Sequence, residues 1–337
     1  MRCSSVHRAG TPIPAWVYVA AFGGALLVLP WVGAERLAGE ELMRYLGGEE
    51  TPHGLILFRQ RLPRVLLAMC VGGMLSAAGA ALQVLFRNPL AEPWTLGVSG
   101  GAAIGAFLAQ AWPALHLAAG PLSSSQVLAL LGAGGVMALV TAFAQRAGAL
   151  SSHTLLLAGV TISIVSGGLM MLLTYFLPPF QFVSFHRWMM GGLDVIGYGD
   201  LWSALVLGAP GVAMLVYLGR DYNHLALSED MASGHGVDVV RVQRLTFLGA
   251  GLATAACVAV AGPIGFVGMI VPHAVRRLSG YDHRLVLPAA FLLGGVVLAL
   301  CDAVARSVIA PTEIPVGVIT AVLGGPVFLW LLAGKGS

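Results

Sequence analysis

Apolar residues run in blocks of about 20 along nearly the whole chain, separated by short polar breaks. A helix rising 1.5 Å per residue needs about 20 such positions to cross a bilayer. The pattern predicts ten spans, at 15–32, 65–86, 94–109, 127–143, 155–177, 201–218, 245–261, 266–278, 285–309 and 314–333. The seventh and eighth come from one long run split at Gly262-Pro263. The first run exceeds the 7–15 residues of a signal-peptide core and is read as a retained helix. A barrel would alternate apolar and polar positions, which these blocks do not.

The polar stretch 220–244 interrupts the pattern between the sixth and seventh spans. It carries both charge signs with an apolar minority. Two short helices broken at Gly234 or Gly236 fit it better than a structureless linker of that length. Breaks inside the membrane pattern recur in both halves, at 88–93 (Asn-Pro-Leu-Ala-Glu-Pro) and 262–266 (Gly-Pro-Ile-Gly-Phe). Each follows a long span and precedes a short glycine-rich one, as in transporters built from two repeated halves. Most of the 45 glycines fall within spans, where they let helix backbones approach closely.

Composition narrows the class. The chain of 337 residues is 58% hydrophobic and 10% charged, and its mean hydropathy is +0.86. That excludes an ordinary soluble enzyme and a disordered chain. The surroundings it demands are membrane lipid, and no nucleic-acid partner is read from its net charge of +3. Basic residues favour an orientation with both termini in the cytoplasm. Arg59, Arg61 and Arg64 oppose that bias together, in a loop with no acid among them. The sole lysine, Lys335, is followed by Gly336 and Ser337, so no phosphate-binding P-loop is read here. The cysteines are scattered in apolar runs and read as packing residues, not as a metal site or disulfide.

Several segments together carry a family resemblance. They are Arg61-Leu62-Pro63-Arg64, the 88–93 break, Leu96-Gly97-Val98-Ser99-Gly100, Leu155-Leu156-Leu157-Ala158-Gly159 and Trp188-Met189-Met190-Gly191-Gly192. In the second half follow Gly262 to Gly268, Val271-Pro272-His273, Asp282-His283-Arg284, Asp302 to Arg306, and Glu313-Ile314-Pro315-Val316-Gly317. In this order and spacing, the chain resembles the permease subunit of ABC importers for ferric siderophores, haem and cobalamin. The resemblance implies an all-α membrane protein with ten transmembrane helices, two pseudo-repeated halves and a homodimeric permease in the inner membrane. It implies two separate ATPase subunits, a periplasmic substrate-binding protein and a metal-chelate substrate, with a ferric siderophore expected first. Cofactors are none, ATP being bound by the partner subunit.

The same resemblance assigns residues. Arg61, Arg64 and Arg306 match positions that dock the binding protein through carboxylates, a role suited to the bidentate guanidinium. Arg306 is also four residues after Asp302, within reach of an internal pair. Asn88, Leu90, Ser152 and His153 match the cytoplasmic gate. In the 220–244 loop, Leu227, Ser228, Glu229, Ala232, Gly234 and Gly236 match the segment that couples to the ATPase. Glu92 is read as a helix cap, and Glu313 is left without a role. No catalytic residue is expected. A rhomboid-like protease would use Ser99 with His116, His153 or His273 as base, and a secondary transporter would need paired acids deep in spans.

Overall fold

The computed structural model describes residues 13–33, 35–112, 123–146, 152–309 and 312–333, and its regular structure there is helical. Helix α1 (Ala15–Val28) is followed by the short α2 (Gly39–Leu46) and α3 (Pro52–Leu55). One π-helical turn, Ile56–Arg61, joins α3 to α4 (Leu62–Leu85), making a continuous 34-residue helix, Pro52–Leu85. The predicted second span therefore begins thirteen residues earlier than its apolar run. Thr51 starts it as an N-cap, its Oγ1 accepting from Gly54 N at 3.3 Å.

Next come α5 (Val98–Ala111), α6 (Ser124–Arg146), α7 (Ser152–Tyr175) and α8 (Pro179–Met189). Then follow α9 (Gly199–Tyr217), α10 (Gly219–Leu225), α11 (Glu229–Gly234) and α12 (Val239–Ala261). The last are α13 (Val267–Ser279), α14 (His283–Ala305) and α15 (Val316–Ala333). Each predicted span overlaps one of these helices, with ends that differ by several residues. By length and composition, six helices among the described residues suffice to cross a membrane, and three further apolar helices are shorter.

Helix α4 is the hub, packed against α14, α12, α13 and α9. Its most apolar stretch is 94% buried, whereas that of α7 is 17% buried. Small residues set the helix spacing. A Cβ at Gly79 would collide with the Gly268 carbonyl oxygen on α13, so both positions let backbones touch.

The two sequence breaks meet inside the molecule. Phe266 sits at the N-cap of α13 with φ +68°, a left-handed conformation rare for an aromatic residue. Its N–H donates to Glu92 Oε2 at 3.2 Å. Glu92, from the first-half break, thus caps a helix of the second half. Gln83 Nε2 on α4 donates to the carbonyls of Gly268 and Met269 at 3.3 and 3.1 Å, satisfying backbone beside the break.

Candidate functional site

Two ends of the bundle gather the polar groups. At one end, where α4 starts and α14 finishes, Arg64 holds three carboxylates. Its Nε and Nη2 reach Asp302 Oδ1 at 3.0 and 2.9 Å, and Nη1 reaches Glu313 Oε2 at 2.6 Å. Asp194 Oδ1, from the loop between α8 and α9, is 3.4 Å from the same Nη1. Asp302 is fully buried, and a buried carboxylate requires such partners. Arg306 Nη2 donates to Leu29 O at 3.0 Å, tying the α14 terminus to the end of α1. Its Nε stands 3.7 Å from Asp302 Oδ2, beyond hydrogen-bond length. Arg61 Nη2 donates to Glu35 O at 2.6 Å, while its Nη1 is buried without a partner.

A cavity of about 610 Å³ opens over this network, lined by Arg61, Arg64, Arg187, Arg306 and the acids Glu35, Asp194 and Glu313 among others. The three arginines expected at a docking face are thus together, but below its rim. Arg61 and Arg306 are buried, and Arg64 is nearly so. Exposed arginines at this end include Arg59 and Arg187, with Arg36 and Arg44 in the segment between α1 and α4. Glu313 sits in the loop before α15. Burial pushes its carboxyl up, but the Arg64 hydrogen bond and charge outweigh that and hold it below the usual glutamate range.

At the opposite end lies the expected coupling segment. It forms two short helices, but the break between them is at 226–228, not at Gly234 or Gly236. Ser228 makes the difference: its Oγ accepts from Met231 N at 3.0 Å and caps α11. Gly234 ends α11, and Gly236, at φ +81°, turns the chain into α12. Tyr222, Leu225 and Ala232 anchor the segment in the core. The Tyr222 hydroxyl bonds Thr246 Oγ1 at 2.8 Å, and burial pushes its pKa up. Leu227 and Met231 face outward, 65% and 51% exposed.

Asn223 on α10 ties this segment to α14. Its Nδ2 donates to Asp282 Oδ1 at 2.9 Å, and its Oδ1 accepts from His283 N at 2.8 Å. Asp282 is held far below its ordinary pKa, chiefly by its hydrogen bonds from Arg284 and then Asn223.

The expected gate residues are also at this end. Asn88 Oδ1 accepts from Leu90 N at 2.9 Å, closing a tight turn that leaves Leu90 exposed. Beside it, Arg87 Nη2 lies 3.6 Å from Glu229 Oε1, joining the turn to α11. Ser152 and His153 begin α7, but their side chains lie outside the described residues. His116 lies outside them altogether.

Asp194, Glu35, Asn223 and Asp282 were not singled out as site residues. Asp282 stood inside a matched motif, but its partner is 59 positions away.

The FecCD transport family matches residues 20–334. The chain belongs to that family. A Bacillus subtilis ABC transporter permease, YvrB, itself uncharacterized, is 36% identical over 98% of this chain and 88% of its own length. The cobalamin import permease BtuC of Halobacterium salinarum is 41% identical over 82% of this chain and 72% of its own. The Salmonella paratyphi A vitamin B12 permease is 38% identical, covering 82% and 83%. A solved metal-chelate type ABC transporter in an inward-facing conformation superposes with TM-score 0.84 at 30% identity, covering 95% of this chain and 98% of that one. This FecCD member is accordingly a multi-pass, non-catalytic transport subunit, and ATP hydrolysis belongs to a separate chain.

Proposed function

We propose that this FecCD protein is the inner-membrane permease of an importer for a metal chelate, with ten crossings and both termini in the cytoplasm. The observation that carries the mechanism is the α10–α11 segment. It presents exposed Leu227, in the break between the two helices, and exposed Met231 on α11, while Tyr222, Leu225 and Ala232 anchor the segment in the core. A short rigid helix with protruding apolar side chains suits a groove on a moving partner. That partner is the ATPase. Leu227, Ser228, Glu229, Ala232, Gly234 and Gly236 form the contact or its hinges.

Movement passes by two routes. The Arg87–Glu229 pair leads to the gate turn at Asn88 and Leu90, and Ser152 and His153 at the start of α7 complete the gate. The Asn223–Asp282 bond leads to α14. The last turn of that helix carries Asp302, beneath the cavity that Arg61, Arg64 and Arg306 line and over which a periplasmic binding protein docks. The little-buried α7 and the apolar α15 are the faces a second copy covers, so the substrate path lies on the dimer axis.

Relatives named for cobalamin favour a corrinoid as the chelate. The ferric siderophore expected from the motifs is the competing outcome. Proteoliposomes holding the permease, its ATPase and its binding protein, given labelled cobalamin, haem or ferric siderophores, decide between them. ATP-dependent uptake of one chelate is expected. Uptake without any ATPase overturns the reading.

A further inference from the structure

A cleft of about 450 Å³ opens between α6 and α12, with Leu155 of α7 contributing to its wall. Its volume lies within the roughly 300–1,000 Å³ of small-ligand sites. The lining is apolar except for Thr141, Gln243 and Arg244. Three features point to one occupant.

The first is depth. The cleft follows α12 from Arg244 to Ala255, a rise of about 16 Å at 1.5 Å per residue. That is about half of a 30 Å hydrocarbon core, or one leaflet. Leu131 and Leu139 on α6 and Leu248 on α12 are exposed beside it, as lipid-facing residues are.

The second is charge. Arg244 stands at the end nearest the α10–α11 segment, exposed, with Arg241 exposed one turn earlier. No carboxylate lines the cleft. Interfacial guanidiniums attract anionic headgroups and pair with phosphate oxygens through two N–H groups.

The third is an orphan amide. Gln243 is 2% exposed, and neither its Nε2 nor its Oε1 has a hydrogen-bond partner among the described residues. A buried amide without a partner costs free energy that an acceptor entering beside it would recover. Thr141 makes no hydrogen bond with Gln243; its hydroxyl donates to Met137 O at 2.7 Å within its own helix.

We propose that this cleft binds one anionic glycerophospholipid. An acyl chain lies along α12, an ester carbonyl accepts from Gln243 Nε2, and the phosphate sits on Arg244. Because the coupling segment leads directly into α12, the lipid stiffens the wall from which that segment projects.

The test uses the transporter assembled with its ATPase. Native mass spectrometry after equilibration with phosphatidylglycerol or phosphatidylcholine reads how much lipid each complex retains. Phosphatidylglycerol is expected to be retained about fivefold over phosphatidylcholine, as one guanidinium near a headgroup allows. Arg244→Ala should abolish that preference and Arg244→Lys keep most of it, while Gln243→Leu should lower retention of both lipids. A phosphatidylglycerol with a photoreactive acyl chain should label residues 130–142 and 244–255. Competition by inorganic phosphate would reassign the site to a free anion. Equal retention, labelling elsewhere, or cross-links between two copies through Leu248 would each overturn the proposal.

Discussion

Arg64 and Asp302 lie 238 positions apart and close on each other in a forked ion pair, with Arg64 Nε 3.0 and 3.1 Å from the two carboxylate oxygens. The pair clamps the first turn of α4 to the last turn of α14. Asp302 also carries the charge of Arg306. Replacing it by Ala leaves two cations facing a buried void, and breaking such a pair costs about 3–5 kcal/mol. Asp302→Ala should therefore lower thermal stability of the detergent-solubilised protein severely. Arg64→Met with Asp302→Leu should recover only part of the loss, because that ion pair is removed whole while Arg306 and Glu313 still lose their partners. A double variant no better than Asp302→Ala would show that the charges themselves are required.

Asn223 offers a cleaner separation of stability from work. It bonds both Asp282 and His283 across the inner ends of α10 and α14. Asn223→Ala removes one hydrogen bond to an ionised carboxylate, worth about 1.5–3 kcal/mol net, and one to a backbone N–H, worth about 0.5–1.5 kcal/mol, so the fold should survive. Basal ATP hydrolysis by the assembled complex should persist while chelate uptake falls about tenfold, as expected when roughly 1.4 kcal/mol of coupling is lost. Equal loss of both rates would mean that the bond only holds the fold.

The contact between α4 and α13 rests on missing side chains. Gly79→Ala should destabilise by about 1–3 kcal/mol through overpacking, since its Cβ meets backbone rather than a yielding side chain. Gly134→Ala, on α6 with open space around it, is the control. It should leave the melting temperature unchanged or raise it slightly through better helix propensity. Similar melting curves for the two variants would contradict the close approach.

Docking of a binding protein should depend first on Arg59 and Arg187, which are exposed at the rim. Exposed charges act mainly on association rate and salt dependence. Arg59→Glu with Arg187→Glu is expected to slow association about tenfold at low salt, with a smaller effect at 0.5 M salt as screening shortens to a few Å. Arg61→Glu with Arg64→Glu would also block docking, but by breaking the network beneath. Its melting temperature should fall, whereas the rim variant's should not. Surface plasmon resonance and a thermal scan on the same samples separate the two.

The helices were largely legible in the sequence because each is a local pattern. Runs such as 65–86 and 285–309 need only their own hydropathy to be recognised. The start of α4 was not legible: Pro52 to Arg64 contains His53, Arg59, Gln60 and Arg61, and it becomes helical through the Thr51 cap and contacts with α2. The break at 226–228 was misplaced because Gly234 and Gly236 are louder local signals than a serine cap. Arg64, Arg306 and Glu313 were visible as unusual residues, but the pairing of Arg64 with Asp302 and Glu313 depends on how α4, α14 and the loop before α15 meet. The orphan amide of Gln243 was invisible for the same reason. A glutamine near a span end carries no sequence mark of lacking a partner.

Acid should act on the Arg64 network through Glu313. Glu313 is partly exposed, and Arg64 holds its carboxyl below the ordinary value of about 4.3. A group with a depressed folded-state pKa binds fewer protons folded than unfolded. Its stabilisation is complete above the unfolded pKa and disappears as pH falls through the folded one. Wild-type protein should therefore lose part of its melting temperature below about pH 4.5. Glu313→Gln keeps the shape but cannot titrate, so its melting temperature should be lower than wild type at pH 7. The two curves should then converge as pH falls, because protonation costs only the wild type this contact. Parallel curves from pH 7 to pH 3.5 would mean that the 2.6 Å contact between Arg64 Nη1 and Glu313 Oε2 contributes nothing to the fold.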